Sequence, residues 1–331
     1  MPPSRRRSQD RAAPRRGAPR LEERLAALRT LDPAAPDAPG VLRDALRSKS
    51  GILIAAAARL VAAHRLEALV PELPDAFEAL REDPVQRDPG CRGKIAIARA
   101  LHELDHWEDR VLVAGLTIEQ LEGWGTQDDM AAELRGVCGL AHAHFGRADA
   151  LDVLADLLAD RERTARVAAA QGLGEAGHPD AAALLRYKVK IGDPEPEVLT
   201  ACVESLLQLG GGRAEDFLIS LLAKHDERAE IAAIALGGAR HAGAFEPLVA
   251  WCDGCLPAQR HRIGYLALAL LRHEPATEHL LNVIRDRPRD AIAAAGALAT
   301  FKDDAALSER IRAAAAAHDE KTRREVNSLL I

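Results

Sequence analysis

Aromatic residues are scarce in this chain: five Phe, three Trp and two Tyr among 331 residues. Runs rich in Val, Ile, Thr and Tyr, the material of strands, are missing as well, which argues against a β or α/β fold. No apolar stretch reaches the length of a membrane span; the strongest, Ile52 to Ala63, is interrupted by Arg59. Cysteine is sparse, odd in number and scattered (Cys91, Cys138, Cys202, Cys252, Cys255), so no disulfide framework is expected. Lysine is rare too, at seven residues. The N-terminus has no apolar segment of the kind a secretory signal needs. These absences point to a protein of a reduced compartment, with the cytoplasm as the expected location and no membrane partner.

Alanine is abundant instead, at 66 residues. It has the highest intrinsic helix propensity and lets helices approach closely, so an all-α fold is expected. Charge is unevenly placed. Residues 1–20 hold seven arginines against Asp10, a net of +6; the chain as a whole carries −6, so the other 311 residues carry −12. An acidic body is a poor footprint for phosphate backbones, and nucleic acid is not the expected partner. The Arg/Pro/Ala-rich stretch 1–20 reads as a disordered basic tail. Leu21, Leu25, Leu28 and Leu31 then predict a short capping helix, and Pro33, Pro36 and Pro39 a linker, over residues 21–39.

From residue 40 onward the chain repeats. A leucine recurs in the second helix of successive helix–turn–helix units at Leu140, Leu173, Leu206, Leu236, Leu268, Leu298 and Leu329, at intervals of 30 to 33 residues. Leu60 and Leu101 extend the series at wider spacing. Asp160, Asp193, Asp226, Asp286 and Asp319 are placed between the paired helices, where a carboxylate can accept N–H bonds from the next helix start. One such pair cannot bury its apolar stripe alone, so the units must stack. The expectation is a right-handed α-solenoid of about nine helix pairs over 40–331, with an insertion at about 107–136. The spacings resemble bacterial HEAT repeats of the phycobilisome-lyase-like type. More locally, Ala100–Asp105, Trp124-Gly125, Asp129 and the Ala131–Gly136 stretch AAELRG are similar to an uncharacterised bacterial HEAT-repeat family. That resemblance implies the fold and no activity.

Three short motifs suggest chemistry. His102-Glu103-Leu104-Asp105-His106 is an H-E-x-x-H, which on a continuous helix sets two imidazoles one turn apart with a carboxylate to act as base. It lacks a third ligand in sequence, so no metal site is assigned. Trp251-Cys252-Asp253-Gly254-Cys255 has the C-x-x-C spacing of thioredoxin-like enzymes, but it closes a helix, whereas a reactive thiol needs a helix N-terminus. His273-Glu274 and His102-Glu103 are similar to the His-Glu pairs of deoxyhypusine hydroxylase, a HEAT-repeat enzyme, yet the other repeats supply no matching pairs. No catalytic residue and no cofactor are expected.

The sequence therefore reads as a non-enzymatic scaffold, expected to be monomeric, that binds another protein or peptide. Its expected contact residues are Trp124, Asp129, Glu133 and Arg135 in the insertion, and Arg163, Arg166, Arg228, Arg262 and Arg289 along a concave face of second helices. Trp124, set between Gly123 and Gly125, suits either an exposed anchor or a buried plug. The alternatives are a lyase-like or metal-binding accessory module built on the repeats, and nucleic-acid binding through the arginine tail, as in DNA glycosylases built of HEAT-like repeats.

Overall fold

A computed structural model describes residues 20–125, 127–224, 226–254 and 258–331, with the side chains of 258–260 left aside. The basic tail therefore lies outside the described residues, apart from the exposed Arg20. The chain is an all-α solenoid: among the described residues it forms 20 α-helices and only two strands, each of two residues. It divides into two compact units. The first takes the chain up to Val111 together with Gln120–Gln127, and the second takes Leu112–Glu119 and Asp128–Ile331.

In the first unit the helices are α1 (Leu21–Arg29), α2 (Ala38–Leu46), α3 (Gly51–Ala63), α4 (Leu73–Arg81), α5 (Pro84–Arg87) and α6 (Arg92–Glu103), followed by the short α7 (Asp109–Leu112) at its border. The core is α3 against α6, both nearly all apolar and small on their facing sides. A fully buried ion pair closes it: Lys94 Nζ lies 2.9 Å from Asp88, with side chains 1% and 0% exposed. Asp88 also accepts the backbone N–H groups of Gly93 and Lys94, at 2.6 and 3.1 Å, in the first turn of α6. Gly51 makes room for this carboxylate, since a Cβ there would stand 2.2 Å from Asp88 Oδ1. Burying charge is costly unless every lone pair finds a donor, and here a cation and two amides supply them.

In the second unit α8 (Ala132–His144) is followed by six helix pairs. They are α9 (Ala150–Leu158) with α10 (Arg163–Ala176), α11 (Ala181–Ile191) with α12 (Pro196–Leu209), and α13 (Gly212–Leu222) with α14 (Glu227–Gly238). Then come α15 (Phe245–Gly254) with α16 (Ala258–Leu270), α17 (Glu274–Asp286) with α18 (Ala291–Leu298), and α19 (Ala305–Ala315) with α20 (Glu320–Leu329). The second helices pack directly on one another from α8 through α10, α12, α14, α16 and α18 to α20, and through α16 more closely than the first helices do; the exposed side of this row is termed the inner face. Small residues permit the approach. A Cβ on Gly237 of α14 would lie 2.3 Å from the carbonyl oxygen of Ala267 on α16. The leucine register holds through the middle of the array, with Leu173, Leu206, Leu236, Leu268 and Leu298 at most 1% exposed, while the end members Leu140 and Leu329 are half-buried.

The turn aspartates need one correction. Asp160, Asp193, Asp226 and Asp319 stand between paired helices as expected, but Asp286 is the exposed last residue of α17. That helix runs one turn further than the spacing implied, and Asp290 takes the place just before α18.

Candidate functional site

The placement of the expected contact residues separates them into two groups. Asp129, Arg135 and Arg166 are interior, which corrects their reading as surface contacts. Arg135 donates to Asp129 at 2.7 Å and to both oxygens of Asp160 at 2.8 and 3.0 Å, and also to the carbonyl of Ile118. Six residues after Asp160, Arg166 repeats the arrangement. It donates to both oxygens of Asp193, at 2.8 and 2.9 Å, and to the carbonyls of Asp160 and Arg161. Lys188 adds a second cation to Asp193 at 2.9 Å. The result is a buried ladder that ties each turn to the second helix of the preceding unit. It stops at α12, where the sixth residue after Asp193 is Leu199, buried and apolar. Bidentate, desolvated pairs of this kind are the strong ones.

The ladder sets the local titration. Burial by itself raises the Asp193 carboxyl, but hydrogen bonds from Arg166, Lys188 and the Glu195 N–H outweigh it and hold Asp193 below the usual carboxylate range. Burial likewise opposes the charge on Arg135, and its bonds to Asp160 and Asp129 prevail, keeping it above its ordinary value.

The remaining expected contacts lie at or near the surface. Trp124 is fully exposed at 103%, the buried-plug alternative giving way to the exposed one; both flanking glycines have positive φ, a backbone that holds the indole out from the chain. Glu133 is half-buried. Arg163 is exposed and pairs with Glu197 at 3.1 Å, and Arg262 and Arg289 are exposed. Arg228 is half-buried, held by Asp226 and by the carbonyl of Lys190. Arg163, Arg228, Arg262 and Arg289 come from different repeats of the second unit.

The chemical motifs fare as follows. Helix α6 ends at Glu103 and Asp105 takes a left-handed conformation (φ 55°), so His106 leaves the helix and the two histidines are not stacked one turn apart. Among the described residues no three His, Cys, Asp or Glu side chains gather as metal ligands. Cys252 is buried in the last turn of α15, and Cys255 lies outside the described residues. Burial pushes the Cys202 thiol up to about 12, away from the range of a reactive thiolate. His273 is the N-cap of α17: its Nδ1 accepts the N–H of Ala276 at 3.1 Å, and Glu274 pairs with Arg310. Its His-Glu sequence is thus explained by helix capping.

The expected concave face of second helices carries an apolar groove that the charged residues named for it did not reveal. On the inner face, α12, α14 and α16 enclose a groove of about 520 Å³. Its floor is Leu207, Ile231, Ile234, Ile263 and Leu270, all half-buried; among its described lining residues only Glu204 and Glu230 are charged. The signal was present as isoleucines on the solvent side of α14, Ile231 and Ile234, three residues apart and out of step with the core leucine Leu236.

With this geometry in view, the comparison with known families is informative: residues 151–237 match the model for HEAT repeats. The match runs from α9 to α14 and so includes the ladder's end and the first two walls of the groove. No curated protein matches the chain.

Proposed function

We propose that the chain is a HEAT-repeat interaction scaffold that holds a helical segment of a partner protein in the inner groove of its second unit. The observation that carries this is the groove itself. Half-buried Leu and Ile side chains leave apolar surface facing solvent, and a helix presenting residues at i, i+3, i+4 and i+7 is the shape that covers such a floor. Charge adds orientation. Among the described residues Glu204 and Glu230 are the charged groups along the groove, and Glu204 favours a partner helix with Lys or Arg beside its apolar stripe. The exposed Trp124 on the first unit offers a second, separate anchor of the type favoured at binding hot spots. The reading needs no bond chemistry, and a bacterial cytoplasm is the setting that fits it.

The test uses a designed amphipathic helix with a leucine stripe and flanking lysines, labelled for fluorescence anisotropy, and a control with flanking glutamates. The lysine version binds saturably and the glutamate version more weakly. Ile234→Asp puts a charge on the floor and weakens binding at least about tenfold, equivalent to ~1.4 kcal/mol. Equal binding by wild type and Ile234→Asp refutes the groove as the site.

A further inference from the structure

A second concavity, on the outer side of the second unit, has the opposite character. It encloses about 730 Å³ between α11, α13 and the start of α14. Five cations line it, Arg186, Lys190, Arg213, Lys224 and Arg228, and Asp216 is the only carboxylate among its described lining residues. This is unexpected in a body whose net charge is −12, and it gathers two of the chain's seven lysines.

The five cations divide by what holds them. Arg186 donates to the carbonyl of Arg213 at 3.0 Å and lies flat over the Phe217 ring, 4.5 Å from its centroid. Arg228 donates to the carbonyl of Lys190 and is neutralised by Asp226. These two arginines fasten neighbouring repeats together and fix the walls. Lys190, Arg213 and Lys224 are different: they are exposed, they face the same space, and among the described residues no carboxylate forms an ion pair with them. Like charges gathered in one concavity repel one another and focus a positive potential into it. A polyanion relieves that repulsion while the rigid walls keep the cations in place.

We propose that this cavity is a binding site for a ligand carrying two or more linked phosphate groups. The charge count, the volume and the mixture of lysine point charges with an arginine fork suit a phosphate chain, which offers several acceptor oxygens to several donors at once. The site lies on the first-helix row, and its ligand does not compete directly with a helix in the inner groove.

The test is calorimetric titration of the full-length protein with tripolyphosphate and, in parallel, with ATP, together with melting curves in both at matched ionic strength. Saturable binding and a rise in Tm that grows with ligand concentration are expected. Tighter binding of ATP identifies a nucleotide as the source of the phosphates, and equal binding identifies the phosphate chain alone. The triple variant Lys190→Gln/Arg213→Gln/Lys224→Gln loses at least about tenfold in affinity. Because the substitutions remove mutual repulsion, its Tm without ligand is no lower than that of wild type. Absence of saturable binding overturns the proposal. So does full binding by the triple variant, which would place the anion elsewhere, with the arginines of residues 1–20 the first place to look.

Discussion

Two stretches of the second unit are built to one plan and held together by different forces. From α8 to α12, buried Asp–Arg pairs join each turn to the preceding repeat; from α13 to α20 the ladder is gone, and helix caps, surface ion pairs and close backbone approach take over. Asp226 shows the change at one position. Its counterparts Asp160 and Asp193 bind an arginine from 25 to 27 residues earlier, whereas Asp226 binds its own neighbour Arg228 and caps α14 through Ala229 N–H. Rigid ion pairs register the early repeats, and both concavities open where that registration ends. The two proposed binding surfaces thus straddle the point where the ladder gives way to helices joined mainly by apolar contact.

The difference is best attacked first at Arg135. Arg135→Met takes the guanidinium from the buried Asp129 and the half-buried Asp160 and should cost about 3–5 kcal/mol in urea unfolding. A loss below ~1 kcal/mol would mean that the ladder is dispensable and that the two stretches are held alike.

Acid gives the next effect. The folded Asp193 carboxyl titrates below its unfolded value of about 3.9, so its stabilisation is fully present above that value and disappears as pH falls through the folded one. Wild type is therefore much more stable than Asp193→Asn at pH 7, and the gap narrows steadily between about pH 5 and pH 2. A gap independent of pH would remove Asp193 from the account.

In the ladderless stretch the sensitive position is a glycine. Gly237→Ala drives a methyl toward the Ala267 carbonyl and should cost about 1–3 kcal/mol by thermal melting, although alanine is the better helix former. A stabilised variant would show that α14 and α16 can separate freely.

The smallest effect belongs to the surface pair Arg163–Glu197, both members more than half exposed. Arg163→Ala should change stability by less than ~0.5 kcal/mol, and a double-mutant cycle with Glu197→Ala measures the coupling. A coupling comparable to that of Arg135 with Asp160 would erase the distinction between ladder and surface ions.

The sequence conveyed the repeat because burial imposes a period on leucine and turns impose one on aspartate. It misplaced Asp286 because nothing local marks how far α17 continues. Arg135 and Arg166 read as surface residues because an arginine in a helix near a turn ordinarily is one. Asp160 and Asp193, their partners in the next turn, lie 25 and 27 residues away, and only the shared Asp-to-Arg spacing of six residues, at 129/135 and 160/166, hinted at the ladder. His102 and His106 match a motif whose chemistry needs a continuous helix, and the left-handed Asp105 breaks it. The concave face of second helices was expected, but neither its apolar groove nor the cationic cavity was legible. Each draws its lining from helices about thirty residues apart, and a charge such as Lys190 or Arg213 looks like ordinary solvation until the fold sets the two across one space.

The inner groove between α12, α14 and α16 is proposed to receive a helix. Hydrogen exchange measured with and without the lysine-flanked amphipathic peptide tests it most directly. The predicted result is slowed exchange in these three helices, with α8, α18 and α20 unchanged. Uniform protection along the unit, or protection confined to the segment around Trp124, would contradict it.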